Sequence, residues 1–150
     1  MRAVIQRVSE ASVSISGKEK SSIGRGFLVL LGIEPADTQD DVEWLVGKIA
    51  GMRIFNDENG VMNLPLAAVG GSVLVVSQFT LMASCKKGNR PSYIRAAGHD
   101  IAIPLYELFV ERLRTVAATT VETGEFGADM QVSLINDGPV TICLDTKNKE

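Results

Sequence analysis

Residues 26–33, which read GFLVLLGI, form the pattern that most constrains the fold. The run is apolar at both odd and even positions, so a strand formed by it would be apolar on both faces. Such strands are typical of the centre of a sheet. Residues 73–79, VLVVSQF, begin in the same way, and we interpret them as a second core strand. The fold is therefore expected to contain a sheet with buried central strands.

Two segments change from the strand period to the helical period. The first follows Thr38 as a candidate N-cap and is expected to end at Gly51. Its apolar positions are Val42, Leu45, Val46, Ile49 and Met52. The second is predicted to begin at about Pro104, because proline is tolerated in a first helical turn. Its apolar stripe is Leu105, Leu108, Phe109, Leu113 and Val116.

Alternating apolar and polar residues predict further strands around this centre. Residues 2–16 are predicted to form a strand, a bend and a second strand, and residues 16–26 a loop or hairpin turn. Short strands are predicted at 53–55, 130–134 and 140–144. We therefore predict one α/β domain over residues 1–150, with a mainly antiparallel or mixed sheet and two main helices.

Composition excludes several classes of protein. With a net charge of −3, the chain as a whole is not a basic nucleic-acid binder, so any RNA contact has to be local. No apolar run reaches the roughly 18 residues of a membrane span, and the first residues lack the apolar core of a signal peptide. No membrane contact and a cytoplasmic location are therefore expected. Cys85, Cys143 and the single histidine, His99, are too few for a disulfide framework or a zinc site, so no metal and no cofactor are expected.

The first candidate site lies where polar residues follow the second core strand. Ser77, Gln78, Phe79 and Thr80 supply a hydroxyl, an amide, an aromatic ring and a second hydroxyl. This mixture has the donors and the shape that a small-ligand pocket needs. The alternative is the solvated face of an edge strand or, for Phe79, an ordinary core aromatic ring.

The second candidate is the segment NDGPVT at 136–141, which interrupts the last two strand patterns. We assign it to the same pocket as residues 77–81. A bond preceding proline adopts the cis form at modest cost, and a cis step at Gly138 and Pro139 would point two successive carbonyl oxygens in one direction. The alternative is an ordinary turn that links two strands.

Several familiar catalytic arrangements are absent from the sequence. There is no Gly-x-Ser-x-Gly elbow, no phosphate-binding loop with Gly-Lys-Ser/Thr and no pair of histidines for a metal. A Ser-His-Asp triad would need His99, whose neighbours predict a loop. Cys85 is interpreted as an inert thiol, and Thr80 has no evident base to activate its hydroxyl. Hydroxyls, an amide and backbone groups are left as the candidates for chemistry.

The densest positive stretch of the chain directly follows the first candidate site. It contains Lys86, Lys87, Arg90 and Arg95. Such clusters are often merely solvated loops. Placement beside the pocket favours Lys86, Lys87 and Arg90 as a rim that contacts phosphates.

Five separated segments together resemble the motifs of the D-aminoacyl-tRNA deacylases, the D-tyrosyl-tRNA deacylase family. They are MRAVIQRV (1–8), SQFTL (77–81), KKGNRPSY (86–93), GEFGADM (124–130) and DGPVT (137–141). Their order and their spread over the whole chain make the resemblance far more specific than any single motif. The chain departs from the family pattern just before the Lys-Lys-Gly stretch, where Ser84 and Cys85 stand in place of Asp and Thr-like residues.

The resemblance implies a barrel-like deacylase fold and an enzyme that hydrolyses the ester joining a D-amino acid to tRNA. Its partner would be aminoacyl-tRNA, bound by the 3′ terminal adenosine and the acceptor end. The ribose 2′-hydroxyl would assist hydrolysis, and backbone N–H groups near Phe79 and Thr80 would stabilise the developing oxyanion. Ser77, Gln78, Phe79 and Thr80 would then be the catalytic segment, with Gln78 and Phe79 shaping the adenosine end of the pocket.

The resemblance also implies a homodimer, in which Gly138 and Pro139 of one subunit project into the pocket of the other. Their carbonyl oxygens would accept the substrate's ammonium group and leave no room for an L side chain, so selection would be by exclusion. Glycyl-tRNA would not be excluded. Arg7 would either brace these carbonyls or occupy an exposed edge position. The remaining wall of the pocket would be Ala96, Ala97, Phe126 and Met130.

Two other functions are compatible with these residues. One is a non-catalytic module that binds the end of tRNA, and the other is a small-molecule esterase with no RNA partner. The esterase would show weak salt dependence, because it contacts no phosphates. The intact segments at 77–80 and 138–139 favour the enzyme that acts on tRNA.

Overall fold

A computed structural model describes residues 1–150 and contains eight strands and two α-helices. The strands are β1 (Arg2–Ile15), β2 (Lys18–Ile23), β3 (Gly26–Gly32), β4 (Arg53–Asn56), β5 (Met62–Pro65), β6 (Ser72–Ser77), β7 (Val121–Thr123) and β8 (Gln131–Asp145). The helices are α1 (Gln39–Gly51) and α2 (His99–Ala117), and short 3₁₀ turns lie at Leu66–Val69 and Phe79–Met82. Neither α-helix has the length and apolar character that a membrane-spanning helix requires.

The long strand β1 organises the main sheet. One edge of β1 pairs with β8, and the other pairs first with β3 and then with β2, all antiparallel. Strands β3, β6 and β7 are parallel neighbours, because α1 and α2 lie in the connections between them. The Ser21 hydroxyl of β2 donates to the Thr123 carbonyl of β7 at 2.7 Å, which brings the two ends of the sheet together. The result is a nearly closed, barrel-like mixed sheet with two helices, and it confirms the predicted fold class.

The buried residues form two separate cores, one on each side of the sheet. Phe27 and Val29 of β3 face α1 and α2 in the larger core, whereas Leu28 faces the barrel interior with Leu74 and Val76. This arrangement explains why residues 26–33 are apolar on both faces, and it confirms their assignment as a central strand.

An irregularity at Arg7 separates the two cores. Val8 opposes Asn136 and Gln6 opposes Thr141, so residues 137–140 lie opposite Arg7 alone. A bulge of this kind changes which face of a strand is buried. Before it, Ala3 and Ile5 of β1 pack under the helices; after it, Ala11 and Val13 pack inside the barrel.

The structure corrects four predictions from the sequence, three of them for strands and one for a helix. Residues 16–26 contain the strand β2, and residues 2–15 form one continuous strand. The two strands predicted at 130–134 and 140–144 are parts of one strand, β8, which contains a bulge. Helix α2 begins at His99, more than a turn before Pro104. Its first turn is closed by N–H groups of Ile101 and Ala102, which donate to the Gly98 carbonyl at 3.1 and 2.8 Å.

Helix α1 begins where the sequence predicted. The Thr38 N–H donates to Asp41 Oδ2 at 2.8 Å, as in a capping box. Lys147 Nζ also donates to Asp41 Oδ2, at 2.9 Å, and ties the C-terminal residues to this helix. Burial acts to raise the pKa of the Asp41 carboxyl, but hydrogen bonds from Thr146 and Lys147 outweigh it, so the pKa lies well below its usual value.

Candidate active site

The catalytic segment predicted at 77–80 lies at the end of β6 and continues into a 3₁₀ turn rather than a strand. The Gln78 N–H donates to the Leu31 carbonyl of β3 at 2.8 Å, and the Leu81 N–H donates to the Gln78 carbonyl at 3.2 Å. Gly32 permits this close approach, because a Cβ there would lie 2.9 Å from Leu81 Cβ. The N–H groups of Phe79 and Thr80 come first in the turn, where the turn itself provides no acceptor.

Thr80 has one side-chain partner, the amide of Gln78. Gln78 Nε2 donates to Thr80 Oγ1 at 2.5 Å. An amide that donates a hydrogen bond cannot remove a proton, so this contact orients the threonine hydroxyl without activating it. No carboxylate, imidazole or amine is bonded to Thr80.

A cavity of about 590 Å³ opens beside this turn, between the ends of β3 and β6, the start of α2 and the segment before β8. Its size lies within the range of small-ligand pockets. Eleven of its sixteen lining residues are hydrophobic. The lining consists of Leu31, Ile33, Val76, Ser77, Gln78, Phe79, Ala96, Ala97, Gly98, His99, Ala102, Phe126, Gly127, Ala128, Met130 and Val132.

The cavity brings together residues that the sequence assigned to one pocket from separate segments. Ser77, Gln78 and Phe79 lie on one side, and Ala97, Phe126 and Met130 lie on the others. Thr80 is not among the lining residues, and its hydroxyl accepts the hydrogen bond from Gln78.

Aromatic contacts fix one wall of the cavity. The rings of His99 and Tyr106 both meet the Phe126 ring edge to face, with centroids 5.5 and 5.7 Å apart. The Tyr106 hydroxyl donates to the Val75 carbonyl at 2.9 Å, and burial raises the pKa of this phenol to about 12. Tyr106 therefore stays neutral and holds Phe126 against the sheet.

Sequence reasoning missed His99 and Gly98 as cavity residues, because it placed the start of α2 too late. The structure moves His99 from a loop into the first turn of the helix and onto the cavity wall. Gly98 as an N-cap residue and Asp100 in the first turn were the available signal for an earlier beginning.

Gly138 and Pro139 lie in the bulge of β8, exposed and outside this cavity. The peptide bond between them is cis, and Gly138 has a φ of +140°. The Asn136 side-chain amide donates to the carbonyls of Arg7 and Val140, both at 3.0 Å, and so holds the two ends of the bulge together.

Arg7 is buried, with 6% of its surface exposed, so the predicted alternative of an exposed edge position is wrong. Its Nε donates to the Asp137 carbonyl at 2.9 Å, and its Nη1 donates to the Ile54 carbonyl at 2.7 Å. The guanidinium therefore braces the residue before Gly138 rather than the Gly138 and Pro139 carbonyls themselves. Arg7 Nε also lies 3.4 Å from Asp137 Oδ2, so the two residues form an ion pair.

The basic residues lie on a loop that is closed at its base. Ser84 and Ser92 exchange two backbone hydrogen bonds of 2.9 Å. Lys86, Lys87 and Arg90 are exposed between them and form no ion pair. Arg95, the fourth residue of the positive stretch, instead pairs with Glu34 at 3.4 Å. No group of side chains in the chain is arranged to hold a metal ion.

Residues 4–145 match the family described as D-Tyr-tRNA(Tyr) deacylase. The chain belongs to this family. It is 65% identical to a D-aminoacyl-tRNA deacylase of Phocaeicola vulgatus and 62% identical to one of Akkermansia muciniphila, in each case over all 150 residues and the whole of both chains. The family assignment confirms the resemblance seen in the sequence, and with it the predicted enzyme class, an aminoacyl-tRNA deacylase.

Two solved structures share the fold. One, described as a c-Myc DNA unwinding element binding protein, is 44% identical with a TM-score of 0.91, covering 97% of this chain and 98% of the other. The other, described as a probable eukaryotic D-amino acid tRNA deacylase, is 17% identical with a TM-score of 0.82, covering 95% and 97%. At that identity the second likeness establishes the fold alone.

Proposed function

We propose that this chain hydrolyses the ester bond of D-aminoacyl-tRNA and releases the free D-amino acid and tRNA. The observation that carries the proposal is the mostly apolar cavity in which the 77–79 segment meets Ala97, Phe126 and Met130. Its volume suits a nucleoside with a small acyl group, and its apolar walls suit an adenine ring and an amino-acid side chain. Because aminoacyl-tRNA is used in the cytoplasm, we place the enzyme there.

The chemistry that this cavity supports is positioning and charge stabilisation. Water attacks the ester carbonyl, and the oxyanion that develops accepts hydrogen bonds from the N–H groups of Phe79 and Thr80. The substrate's own 2′-hydroxyl takes a proton from the attacking water and gives its own proton to the 3′ oxygen, so the carbon–oxygen bond breaks and the leaving group departs as the ribose 3′-hydroxyl. The protein needs no general base for this route, in agreement with a Thr80 hydroxyl that only accepts a bond from Gln78. Ser77 and Gln78 provide the remaining polar surface beside the ester.

We propose further that two copies of the chain pair, so that the bulge of each enters the cavity of the other. The bulge is exposed and lies outside the cavity of its own chain, yet Arg7 and Asn136 hold it in one shape. Gly138 and Pro139 would then present carbonyl oxygens to the substrate's ammonium group. An L side chain would collide with them and a D side chain would point away. Glycine has no side chain, so glycyl-tRNA would also be accepted.

The exposed cations of the 84–92 loop would hold the RNA outside the cavity. Lys86, Lys87 and Arg90 have no acidic partner, so they are free to contact phosphates of the acceptor end. Such contacts add affinity without reading the amino acid.

The experiment that tests the proposal is incubation of the protein with matched D- and L-tyrosyl-tRNA, with loss of the ester and release of free tyrosine measured against time. Rapid release from the D ester and slow release from the L ester is the expected result. A tRNA-binding module would bind both and release neither. Hydrolysis of D-tyrosine methyl ester tests the third function, a small-molecule esterase. Such an esterase would hydrolyse the methyl ester as fast as the tRNA ester.

A further inference from the structure

Three large apolar side chains lie exposed together at the base of the basic loop. Phe79 is 56% exposed, Tyr93 40% and Ile94 90%. The rings of Phe79 and Tyr93 meet edge to face with centroids 5.1 Å apart and an interplanar angle of 76°. We call Phe79, Tyr93 and Ile94 the aromatic ledge. Exposed apolar groups that cluster in this way mark an interaction surface more often than isolated ones do.

The aromatic ledge extends from the cavity to the base of the basic loop. Phe79 is also part of the cavity lining, so the ledge begins at the cavity mouth. Tyr93 directly follows Ser92, whose hydrogen bonds with Ser84 close the loop that carries Lys86 and Arg90. A single strand of nucleic acid that leaves the cavity over Phe79 would therefore pass over aromatic and aliphatic surface and reach the loop that carries the unpaired positive charges.

We propose that the aromatic ledge binds the unpaired nucleotides that precede the terminal adenosine of tRNA. This inference rests on the proposed function, which places the terminal adenosine in the cavity. Single-stranded nucleic acid is held by the combination present here, in which bases stack on aromatic side chains while cations follow the backbone. The ledge supplies faces for stacking, and Lys86, Lys87 and Arg90 supply the charge.

Charge complementarity favours RNA over a second copy of this chain as the occupant. The whole chain carries a net charge of −3, but Lys86, Lys87 and Arg90 on the loop beside the ledge form no ion pairs. A polyanion satisfies them, and the same polyanion carries bases that cover the ledge.

The kinetic test compares two substrates, D-tyrosyl-tRNA and the D-tyrosyl ester of adenosine alone, which has no preceding nucleotides. Tyr93→Ala should lower the ratio of kcat/KM for the tRNA to kcat/KM for the short ester by about fivefold or more, the loss expected for one stacking contact. Tyr93→Phe keeps the ring and should restore the ratio. Val61→Ala removes an apolar side chain of similar exposure, 58%, far along the chain from the site, and serves as the matched control.

A binding test separates the ledge from catalysis. The unaltered protein should bind uncharged tRNA with its intact 3′ end more tightly than tRNA from which the unpaired end has been removed, and Tyr93→Ala should reduce that preference. Equal loss of kcat/KM on both substrates, or a binding preference unaffected by Tyr93→Ala, would overturn the proposal. A change of oligomeric state on Ile94→Ser, measured by sedimentation, together with unchanged RNA binding, would assign the ledge to contact between copies and overturn it as well. If the unaltered protein hydrolyses neither ester, the proposed function fails, and the binding test still decides on the ledge.

Discussion

Arg2 donates a hydrogen bond from Nη1 to the main-chain carbonyl of Leu81 at 3.0 Å. Its Nε donates to Asp145 Oδ2 at 2.9 Å. Burial acts to raise the pKa of the Asp145 carboxyl, but hydrogen bonds from the Lys147 N–H and from Arg2 lower it below its usual value. One side chain therefore connects the first strand and the last strand to the turn that carries Phe79 and Thr80.

Replacing Arg2 with methionine should lower kcat on D-tyrosyl-tRNA by about tenfold, because a charge-assisted hydrogen bond is worth ~1.5–3 kcal/mol and holds the backbone donors of the turn. KM should change little, since the cavity walls are intact. Arg2→Lys keeps a cation and should recover part of kcat. Steady-state kinetics with the melting temperature of each variant provides the measurement; a change in KM alone would show that Arg2 acts on binding.

Asp41→Asn should lower the stability of the fold at neutral pH by about 1 kcal/mol, since it weakens the bonds from Thr38 and Lys147. The pKa of Asp41 is lowered in the folded state, so its contribution is present above the unfolded value near 3.9 and is lost as pH falls below it. Urea unfolding of both proteins at pH 7 and pH 3 checks this. The two proteins should differ less in free energy of unfolding at pH 3 than at pH 7. An equal difference at both pH values would contradict the stabilising role given to the ionised Asp41 carboxylate.

Changing Lys86, Lys87 and Arg90 together to alanine should weaken tRNA binding and flatten the plot of log affinity against log salt by about two to three in slope. The ratio of D to L hydrolysis should stay the same, because contacts with phosphates position the RNA and do not read the amino acid. Filter binding at several salt concentrations measures the slope. If the triple variant lost its preference for the D ester but bound tRNA with unchanged affinity, the loop would select the amino acid and would not bind the RNA, which contradicts the proposal.

Sequence periodicity was most informative where burial follows a simple pattern. The strand at 26–33 is apolar on both faces because it separates two cores, and α1 has a capped start. Strand β2 was missed because only Ser21 and Ile23 of its six residues are buried, so its pairing with β1 leaves no apolar alternation. The position of His99 on the cavity wall depends on where α2 packs, and local sequence carries little of that information.

Gly138→Ala should disrupt the bulge. The φ of +140° is strained for any residue with a side chain, and a Cβ would lie 2.7 Å from Val140 Cγ2 and 3.2 Å from Arg7 Nη2. A cost of ~1–3 kcal/mol corresponds to a fall in melting temperature of roughly 2 to 10 °C for a chain of this size. The ratio of D to L hydrolysis should fall as well, because the carbonyls proposed to exclude L side chains move. If Gly138→Ala kept the normal ratio of D to L hydrolysis and the normal sedimentation, the bulge would not be part of the proposed site.

The contact between Gln78 and Thr80 leads to the most direct test of the chemistry. Gln78 Nε2 donates to Thr80 Oγ1, and nothing bonded to Thr80 is able to accept its proton as a base. Thr80→Ala should therefore retain much of the hydrolytic activity, whereas Thr80→Ser serves as the control that keeps the hydroxyl. A tRNA whose terminal adenosine lacks the 2′-hydroxyl should be bound but not turned over by the unaltered protein, because the group that assists departure of the 3′ oxygen is missing. Single-turnover kinetics measures the rate of the Thr80→Ala variant on D-tyrosyl-tRNA and the rate of the unaltered protein on the 2′-deoxy substrate. A nucleophilic Thr80 requires the opposite pattern: an inactive alanine variant and an acyl group on Thr80 that mass spectrometry detects after rapid quenching.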